Sequence, residues 1–205
     1  MSDREGQTRE KIIFSALALF SEMGIGKTSM NDVAFHAGVT RVTVYRYFGD
    51  KRELVREAFL RVERVFQEGL ATLEQNPETD WKSVLDQIGE GLSALPKGDA
   101  FSRTNELKRL YPDTYNELQN VRETILNGLF DHFYAVAESR GMLRPGLNRP
   151  VAQAIFWELI INFFDNPRFA SFEFSDVELF RVMTDILLHG ILKDEPAAVV
   201  SPSNG

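Results

Sequence analysis

The chain has 205 residues, enough for one domain or two small ones with a buried core, and its 43% hydrophobic and 26% charged residues are ordinary for a globular protein. It has no cysteine, which excludes disulfides, thiolate metal sites and cysteine nucleophiles. The net charge is −7, but residues 1–55 carry eight Lys or Arg against seven Asp or Glu, and residues 56–205 carry fifteen against twenty-three. A basic surface near the N-terminus therefore remains compatible with the acidic total.

Hydrophobic periodicity predicts an all-α chain of about nine helices, with Pro and Gly between them. In the first helix, over residues 8–23, Ile13, Leu17 and Phe20 recur at helical spacing. Ser29 with Asp32, and Asp50 with Glu53, have capping-box spacing and predict the starts of the second and fourth helices. The fourth helix runs to about residue 75, and the later helices are predicted over residues 81–95, 100–111, 112–140, 151–165 and 175–192.

The stretch GVTRVTVYRYFGDKREL, residues 38–54, has the β-branched and aromatic composition of a strand. A lone strand between helices would have no sheet in which to pair its backbone groups. A helix over residues 40–48 instead puts Val44 and Phe48 on one core-facing side and directs the arginines elsewhere. With the short helix over residues 29–37 it predicts a helix-turn-helix, whose second helix enters the major groove of DNA.

The longer stretch TSMNDVAFHAGVTRVTVYRYFGDKREL resembles the DNA-binding region of the TetR family of transcriptional regulators. The resemblance covers about residues 9–56 and rests on Thr28-Ser29, Val33-Ala34, Ala37-Gly38-Val39, Thr43-Val44-Tyr45, Tyr47-Phe48, Lys51 and Leu54. It implies an N-terminal three-helix helix-turn-helix DNA-binding domain, residues 1–55, and a larger C-terminal helical domain for ligand binding and dimerisation, residues 56–195. Residues 196–205 lack periodicity and are expected to be a disordered tail.

Chemistry and the resemblance together imply roles for side chains of this motif. Arg41 can make a bidentate contact with a guanine edge, and Thr43 can bond a base or a phosphate. Val42 departs from the pattern of the many family members that have glycine or another small residue there, and it can either contact a thymine methyl group or restrict how closely the helix approaches the groove. Helix N-termini bind phosphate through free backbone N–H groups, which suits Thr28 and Ser29. The predicted DNA-contacting residues are Thr28, Ser29, Arg41, Val42, Thr43, Tyr45, Arg46, Tyr47 and Lys51.

The last two predicted helices are apolar nearly all round, which in a chain of this length favours packing on a partner. The resemblance implies a homodimer formed through these helices as a four-helix bundle. A twofold dimer would hold its recognition helices about 34 Å apart, so the DNA site is expected to be near-palindromic. The predicted interface residues are Ile155, Leu159, Phe163, Phe180, Met183, Leu187 and Ile191.

The resemblance also implies that the helices over residues 81–140 surround a cavity for a small apolar or aromatic effector. Many of the chain's 16 Phe fall in this half and could line such a pocket. An aromatic residue at helical spacing can equally fill the core, and the sequence leaves both roles open. The candidate pocket residues are Phe101, Tyr111, Tyr115, Phe130, His132, Phe133, Trp157 and Phe164.

The favoured function is a transcriptional repressor that a small molecule releases from double-stranded DNA, and the alternative is a DNA-binding architectural or partner-binding protein without a ligand. An enzyme or a cofactor is not expected, because the sequence has no Gly-rich phosphate loop, HExxH or GxSxG motif. Asp185 and His189 offer only two ligands for a metal. The N-terminus does not resemble a secretory signal and the apolar run over residues 151–164 is too polar to span a bilayer, so a cytoplasmic protein is expected.

Overall fold

Nine helices form the regular structure of the described residues. The computed structural model describes residues 3–79, 81–97, 100–160 and 176–193. Within these ranges the fold is all-α, as predicted, and backbone pairing of the β type occurs only at an isolated bridge between Leu143 and Leu192. The helices are α1 (Asp3–Met23), α2 (Met30–His36), α3 (Arg41–Phe48), α4 (Lys51–Gln75), α5 (Trp81–Ser93), α6 (Ala100–Leu110), α7 (Pro112–Ser139), α8 (Arg149–Ile160) and α9 (Asp176–Ile191).

Most predicted helix ends agree with the structure to within two residues, because caps and breakers mark them locally. The exception is α1, which begins at Asp3 rather than near residue 8. Acidic side chains at Asp3 and Glu5 favour a helix N-terminus through the helix dipole. The hydroxyl of Thr8, where the helix was expected to begin, donates instead to the Arg4 carbonyl inside the first turn, at 2.8 Å. The predicted end of α8 near residue 165 lies outside the described residues.

The N-terminal core joins α1, α2 and α3 to the first half of α4. Its fully buried side chains include Ile13 and Phe20 of α1, Val44 of α3 and Leu54 of α4. Side chains from the rest of the chain complete it, namely Leu107 of α6 and Tyr115 and Leu118 of α7. Residues that lie far beyond the helix-turn-helix in the sequence therefore pack against its buried side.

A second core lies around the other half of α4, against α5, α7, α8 and α9. Helices α4 and α5 pack closely in this core at Gly91 of α5, since a Cβ atom added there would lie only 2.6 Å from the side chain of Val65 of α4. The predicted domain boundary at residue 55 falls inside α4, which contributes buried residues to both cores. No helix of the described ranges has the length and apolarity required to cross a membrane.

Ion pairs join α4 to α7, and one of them is buried. The guanidinium of Arg122 donates to the carboxylate of Glu63 at 2.6 Å, and both side chains are buried. Arg56 makes a bidentate contact with Glu117, which lowers the pKa of that carboxyl, although its partial desolvation opposes the shift. Breaking the buried pair of Arg122 and Glu63 is strongly destabilising, because the remaining charge is left without its partner in the protein interior.

The last helix buries residues that were predicted at a dimer interface. Phe180, Met183, Leu187 and Ile191 pack within the chain's own cores, so the face of α9 that they form is already covered. Ile155 of α8 is exposed as expected, Leu159 is half-buried, and Phe163 lies outside the described residues. The apolar side chains that α8 and α9 leave exposed are Val151, Ile155, Val182 and Ile186.

Replacing Glu63 with alanine should lower the free energy of unfolding by about 3 kcal/mol, because Arg122 would remain buried without its carboxylate. Urea denaturation measures the loss. Glu78→Ala is the matched control, since Glu78 pairs with Arg140 at the surface and its removal should cost less than about 1 kcal/mol. Equal losses for the two variants would contradict this difference between buried and exposed pairs.

Candidate nucleic-acid interface

A complete capping box begins α2. The backbone N–H of Asp32 donates to the Ser29 hydroxyl at 3.2 Å, and the Asp32 carboxylate accepts from the Ser29 N–H at 2.7 Å. These hydrogen bonds with Ser29 lower the pKa of the Asp32 carboxyl. The helix N-terminus is thus partly satisfied by the chain's own carboxylate, which competes with any phosphate that approaches it.

A tight turn connects α2 to α3. Gly38 has a φ of 62°, in the left-handed region that favours glycine, and Val39 donates its N–H to the Ala34 carbonyl at 3.0 Å. Thr40 then caps α3 by accepting the N–H of Thr43 at 3.1 Å, and the two hydroxyls lie 2.8 Å apart. These local bonds explain why a segment of strand-like composition folds as a helix.

The two sides of α3 differ in the way the sequence predicts. Val44 and Phe48 are buried in the N-terminal core, whereas Arg41, Tyr45 and Arg46 are exposed. Val42, the residue that departs from the family pattern, has 76% of its side chain exposed. Two buried anchors therefore hold a surface that carries cationic, aromatic and apolar groups, which are the groups that read base edges and phosphates.

Stacking on tyrosine orients the two arginines of α3. The Arg41 guanidinium lies 5.1 Å from the centre of the Tyr45 ring and donates to the Tyr45 hydroxyl at 3.3 Å. Arg46 lies over Tyr47 at 5.4 Å. Cation–π contacts of this kind reduce the freedom of a long side chain, so less entropy is lost when the guanidinium meets a base or a phosphate.

Thr28 does not lie on this surface. Its side chain is 1% exposed, and its hydroxyl donates to the Gly24 carbonyl at 2.8 Å. The expectation that the Thr28 hydroxyl holds a phosphate therefore disagrees with the structure, because the hydroxyl closes the loop that precedes α2. Ser29, the next residue, is exposed.

Lys51 is half-buried at the start of α4 and donates from Nζ to the Gly26 carbonyl at 3.3 Å. Burial lowers the pKa of the Lys51 ammonium group, whereas the nearby carboxylates of Glu106 and Asp32 act to raise it. Lys51, one of the residues expected to contact DNA, is therefore also tied to the loop between α1 and α2.

That loop is in turn held by α6. The Glu106 carboxylate accepts from the backbone N–H of Ile25 at 2.6 Å and from that of Gly26 at 2.9 Å. Successive N–H groups of this kind form a small anion-binding concavity. Gly24 has a φ of 88°, and a Cβ there would lie 2.8 Å from Glu106. The Glu106 carboxylate of α6 thus holds the loop between α1 and α2 in place beside Lys51.

Sequence reasoning missed three features of this region. The exposed hydroxyl of Thr40, which lies beside that of Thr43, is not among the predicted DNA contacts. Phe35 at the end of α2 is 90% exposed, which the inward positions of Val33 and Ala37 on the same short helix could have indicated. The contact of Glu106 has no local signal, because 80 residues separate it from Gly26 in the chain.

The predicted pocket residues do not share one location. Phe130 and Phe133 line an apolar cavity of about 60 Å³ among α4, α5, α7, α8 and α9. Tyr115 is part of the N-terminal core and Tyr111 packs against it. Trp157 donates from Nε1 to Asn127 at 3.0 Å. His132 lies behind the cavity wall beside Trp81, whereas Phe164 and the side chain of Phe101 lie outside the described part of the structure.

The pair Asp185 and His189 is exposed on α9, with Nδ1 of the imidazole 3.3 Å from a carboxylate oxygen of Asp185. Within the described ranges no three His, Cys, Asp or Glu side chains come together as a metal ion would require.

Comparison with known proteins gives a family match and several matches to curated relatives over part of the chain. Residues 12–58 match the family described as bacterial regulatory proteins, tetR family. The probable acrEF/envCD operon repressor of Escherichia coli K12 is 39% identical over 95 residues, which cover 44% of this chain and 42% of that protein. The transcriptional repressor KstR of Rhodococcus jostii is 32% identical over 96 residues, 46% of this chain and 45% of that one. These matches span less than half the length of either relative.

Solved structures extend the likeness to the whole fold. KstR2 of Mycobacterium tuberculosis, a ketosteroid transcriptional regulator, has a TM-score of 0.57 and 17% identity, with coverage of 95% of this chain and 97% of that chain. NalD, the secondary repressor of the MexAB-OprM multidrug efflux pump in Pseudomonas aeruginosa, has a TM-score of 0.54 and 23% identity, with coverage of 95% and 100%. At these identities the likeness establishes a shared fold.

Replacing Glu106 with glutamine should speed hydrogen exchange at the Ile25 and Gly26 amides by about tenfold, because hydrogen bonds to a charged carboxylate are stronger than those to an amide. Amide exchange followed by NMR measures the change residue by residue. Glu22→Gln, at an exposed carboxylate near the end of α1, should leave both rates unchanged. Unaltered exchange in Glu106→Gln would contradict the role of this carboxylate in fixing the loop.

Proposed function

Through residues 12–58 this chain belongs to the tetR family of bacterial regulatory proteins, and we propose that it is a transcriptional repressor that binds a near-palindromic DNA operator as a homodimer. The observation that carries the proposal is the exposed side of α3, where Arg41, Thr43 and Arg46 project from a helix anchored by Val44 and Phe48. Two of the curated relatives that match part of this chain are named as repressors, which supports the same sign of regulation here.

The contacts divide into two classes. Arg41, Val42 and Thr43 at the first turn of α3 would face base edges, since the N-terminal residues of a recognition helix enter the groove. Tyr45, Arg46 and Tyr47 lie further along the helix and would meet sugars and phosphates. Ser29 and Lys51 begin the two flanking helices and would hold phosphates on either side.

A second copy of this chain is the partner that we propose for the exposed apolar face of α8 and α9. Val151 and Ile155 of α8 and Val182 and Ile186 of α9 are exposed, and each has a large hydrophobic side chain. A twofold dimer needs such a self-complementary patch, and it would align two copies of α3 on one face of DNA. The interface thus uses residues next to Phe180, Met183 and Leu187 rather than those buried residues themselves.

We propose further that a small effector enters the cavity of the C-terminal core and releases the protein from DNA. Phe66 of α4 lines this cavity, and Lys51 of the same helix lies at the DNA-facing surface. A ligand that moves α4 would therefore change the position of the helix-turn-helix. A DNA-binding protein without an effector is the second candidate, and the cavity volume of about 60 Å³ favours it, because ligand pockets usually measure about 300–1,000 Å³.

Selection from a randomised duplex pool at about physiological salt should enrich a near-palindrome with half-sites about one turn apart. Against the selected site, Arg41→Ala should cost about 1–3 kcal/mol and relax preference at one base pair, because a bidentate base contact is lost. Lys51→Ala should weaken binding to all sequences and reduce the salt slope by about one, because a phosphate contact is lost.

Glu90→Ala removes an exposed charge from α5 and is the control for a general change in the protein's electrostatic field. Retention of DNA without enrichment, with a steep loss of binding as salt rises, would contradict sequence reading and leave only backbone binding.

Ile186→Asp should convert the dimer to a monomer at micromolar concentration, because the interface would bury an unpaired carboxylate. Sedimentation equilibrium measures the association constant. Ala135→Asp adds the same charge at an exposed position of α7 and should leave the association constant unchanged. A monomeric wild-type chain, or an equally dimeric Ile186→Asp variant, would remove α9 from the interface.

A further inference from the structure

A cleft lies between helix α6 and the C-terminal end of α1 with the loop that follows it. Residues 20–24 and 27 form one wall, and residues 103, 105, 106, 108 and 109 form the other. Its volume is about 930 Å³, within the range of about 300–1,000 Å³ that is usual for ligand pockets, whereas the apolar cavity of the C-terminal core measures about 60 Å³. The cleft therefore has room for a small organic molecule without displacement of its walls.

The charge of this cleft is opposite to that of the whole chain. Its described lining residues include four cations and two carboxylates, an excess of two positive charges, in a chain whose net charge is −7. The cations are Lys27, Arg103, Lys108 and Arg109, and the carboxylates are Glu22 and Glu106. A concave surface that carries an excess of one sign of charge concentrates ions of the other sign, so the cleft attracts anions.

The carboxylate of Glu106 is engaged by the backbone of the opposite wall. One of its oxygen atoms accepts from the N–H of Ile25 at 2.6 Å, and the other accepts from the N–H of Gly26 at 2.9 Å. The Arg109 guanidinium lies 3.8 Å from this carboxylate, and 71% of the Arg109 side chain is exposed. An anion that enters the cleft can therefore contact Arg109 without first breaking a close ion pair.

The two lysines of the cleft have no carboxylate partner among the described residues. Lys27 is exposed in the loop between α1 and α2. Lys108, on the α6 wall, lies over the ring of Tyr115, with Nζ 5.2 Å from the ring centre. That contact orients the ammonium group but leaves its positive charge in place. Each wall therefore presents an ammonium group that a ligand can neutralise.

We propose that this cleft binds a small organic anion with at least two negative charges, carried by phosphate or carboxylate groups. Two charges match the excess of the lining, and a ligand between the walls would meet Lys27 on one side and Lys108 with Arg109 on the other. The planar guanidinium of Arg109 suits either group, because it donates two parallel hydrogen bonds to a carboxylate or a phosphate. The site is separate from the apolar cavity in which we place the effector, so it goes beyond the proposed function.

Other occupants suit the cleft less well. A neutral apolar molecule would find little apolar surface, because Met23 is exposed but Phe20 is buried. A cation would be repelled by the excess positive charge. The DNA backbone is anionic too, but it offers its charges along a convex surface, whereas two facing walls can surround a small molecule.

The test uses inorganic pyrophosphate and citrate as probes on the full chain, without DNA or divalent cations, at about physiological ionic strength. Calorimetry should show saturable binding of one anion per chain, and acetate at the same ionic strength should not bind measurably. Tighter binding of pyrophosphate would identify phosphate as the preferred group, and tighter binding of citrate would identify carboxylates. In NMR spectra, the bound anion should shift the amide signals of Gly26 and Lys27 and leave those of α3 unchanged.

Matched variants separate the cleft from the rest of the surface. Lys27→Gln should weaken binding of the preferred anion about tenfold, because a hydrogen bond to a charged group is lost. Lys82→Gln makes the same change at an exposed position of α5 and should leave the affinity unaltered. Glu22→Gln removes a negative charge from the cleft and should raise the affinity. All three side chains are exposed, so none of these replacements removes a buried contact.

Absence of saturable binding of both anions, equal weakening in Lys27→Gln and Lys82→Gln, or amide shifts confined to α3 would each overturn the inference. A loss of DNA affinity in Lys27→Gln, when neither anion binds, would assign the cleft to the DNA backbone instead. DNA selection is a separate measurement on the same protein. Its failure with intact anion binding would overturn the proposed function and leave this site standing.

Discussion

Helix α4 is the constraint on which the rest of this structure depends, because a single rigid element must satisfy two cores. Its first half closes the core under the recognition helix with Leu54 and Val55, and its second half fills the C-terminal core with Val65 and Phe66. Buried carboxylates at Glu57 and Glu63 tie the same helix to arginines of α1 and α7. Any shift of α4 in one core must therefore be accommodated in the other.

The exposed surface of α3, which we propose faces DNA, is defined by local contacts. Thr40 caps α3, Arg41 stacks on Tyr45, and Val44 anchors the helix from below. Beside it, the carboxylate of Glu106 holds the loop whose carbonyl at Gly26 accepts from Lys51. The surface is thus linked to α6 through backbone atoms as well as to the C-terminal core through α4, and these are two routes by which a change in the larger domain can reach it.

Most of the fold could be predicted from the sequence, because its signals are local. The capping box at Ser29 and the N-cap Asp50, together with prolines and glycines between helices, mark helix ends within a few residues of their true positions. The periodicity of Val44 and Phe48 also indicated which side of α3 faces inward. The exposure of Arg41, Tyr45 and Arg46 on α3 was predictable for the same reason, whereas the inward hydroxyl of Thr28 depends on the loop that folds back over it.

The sequence by itself determined an all-α chain, the order of its helices and most of their ends, and a short helix α3 with Arg41 and Arg46 on its exposed side. Only the tertiary structure decided which face of α9 is covered, because a helix that is apolar nearly all round has no preferred side until its neighbours are known. It also decided the contact of Glu106 with Gly26 and the ring contact of Trp81 with His132, since both join residues that are distant in the chain. Periodicity and capping act within a few residues, whereas these contacts depend on how whole helices pack.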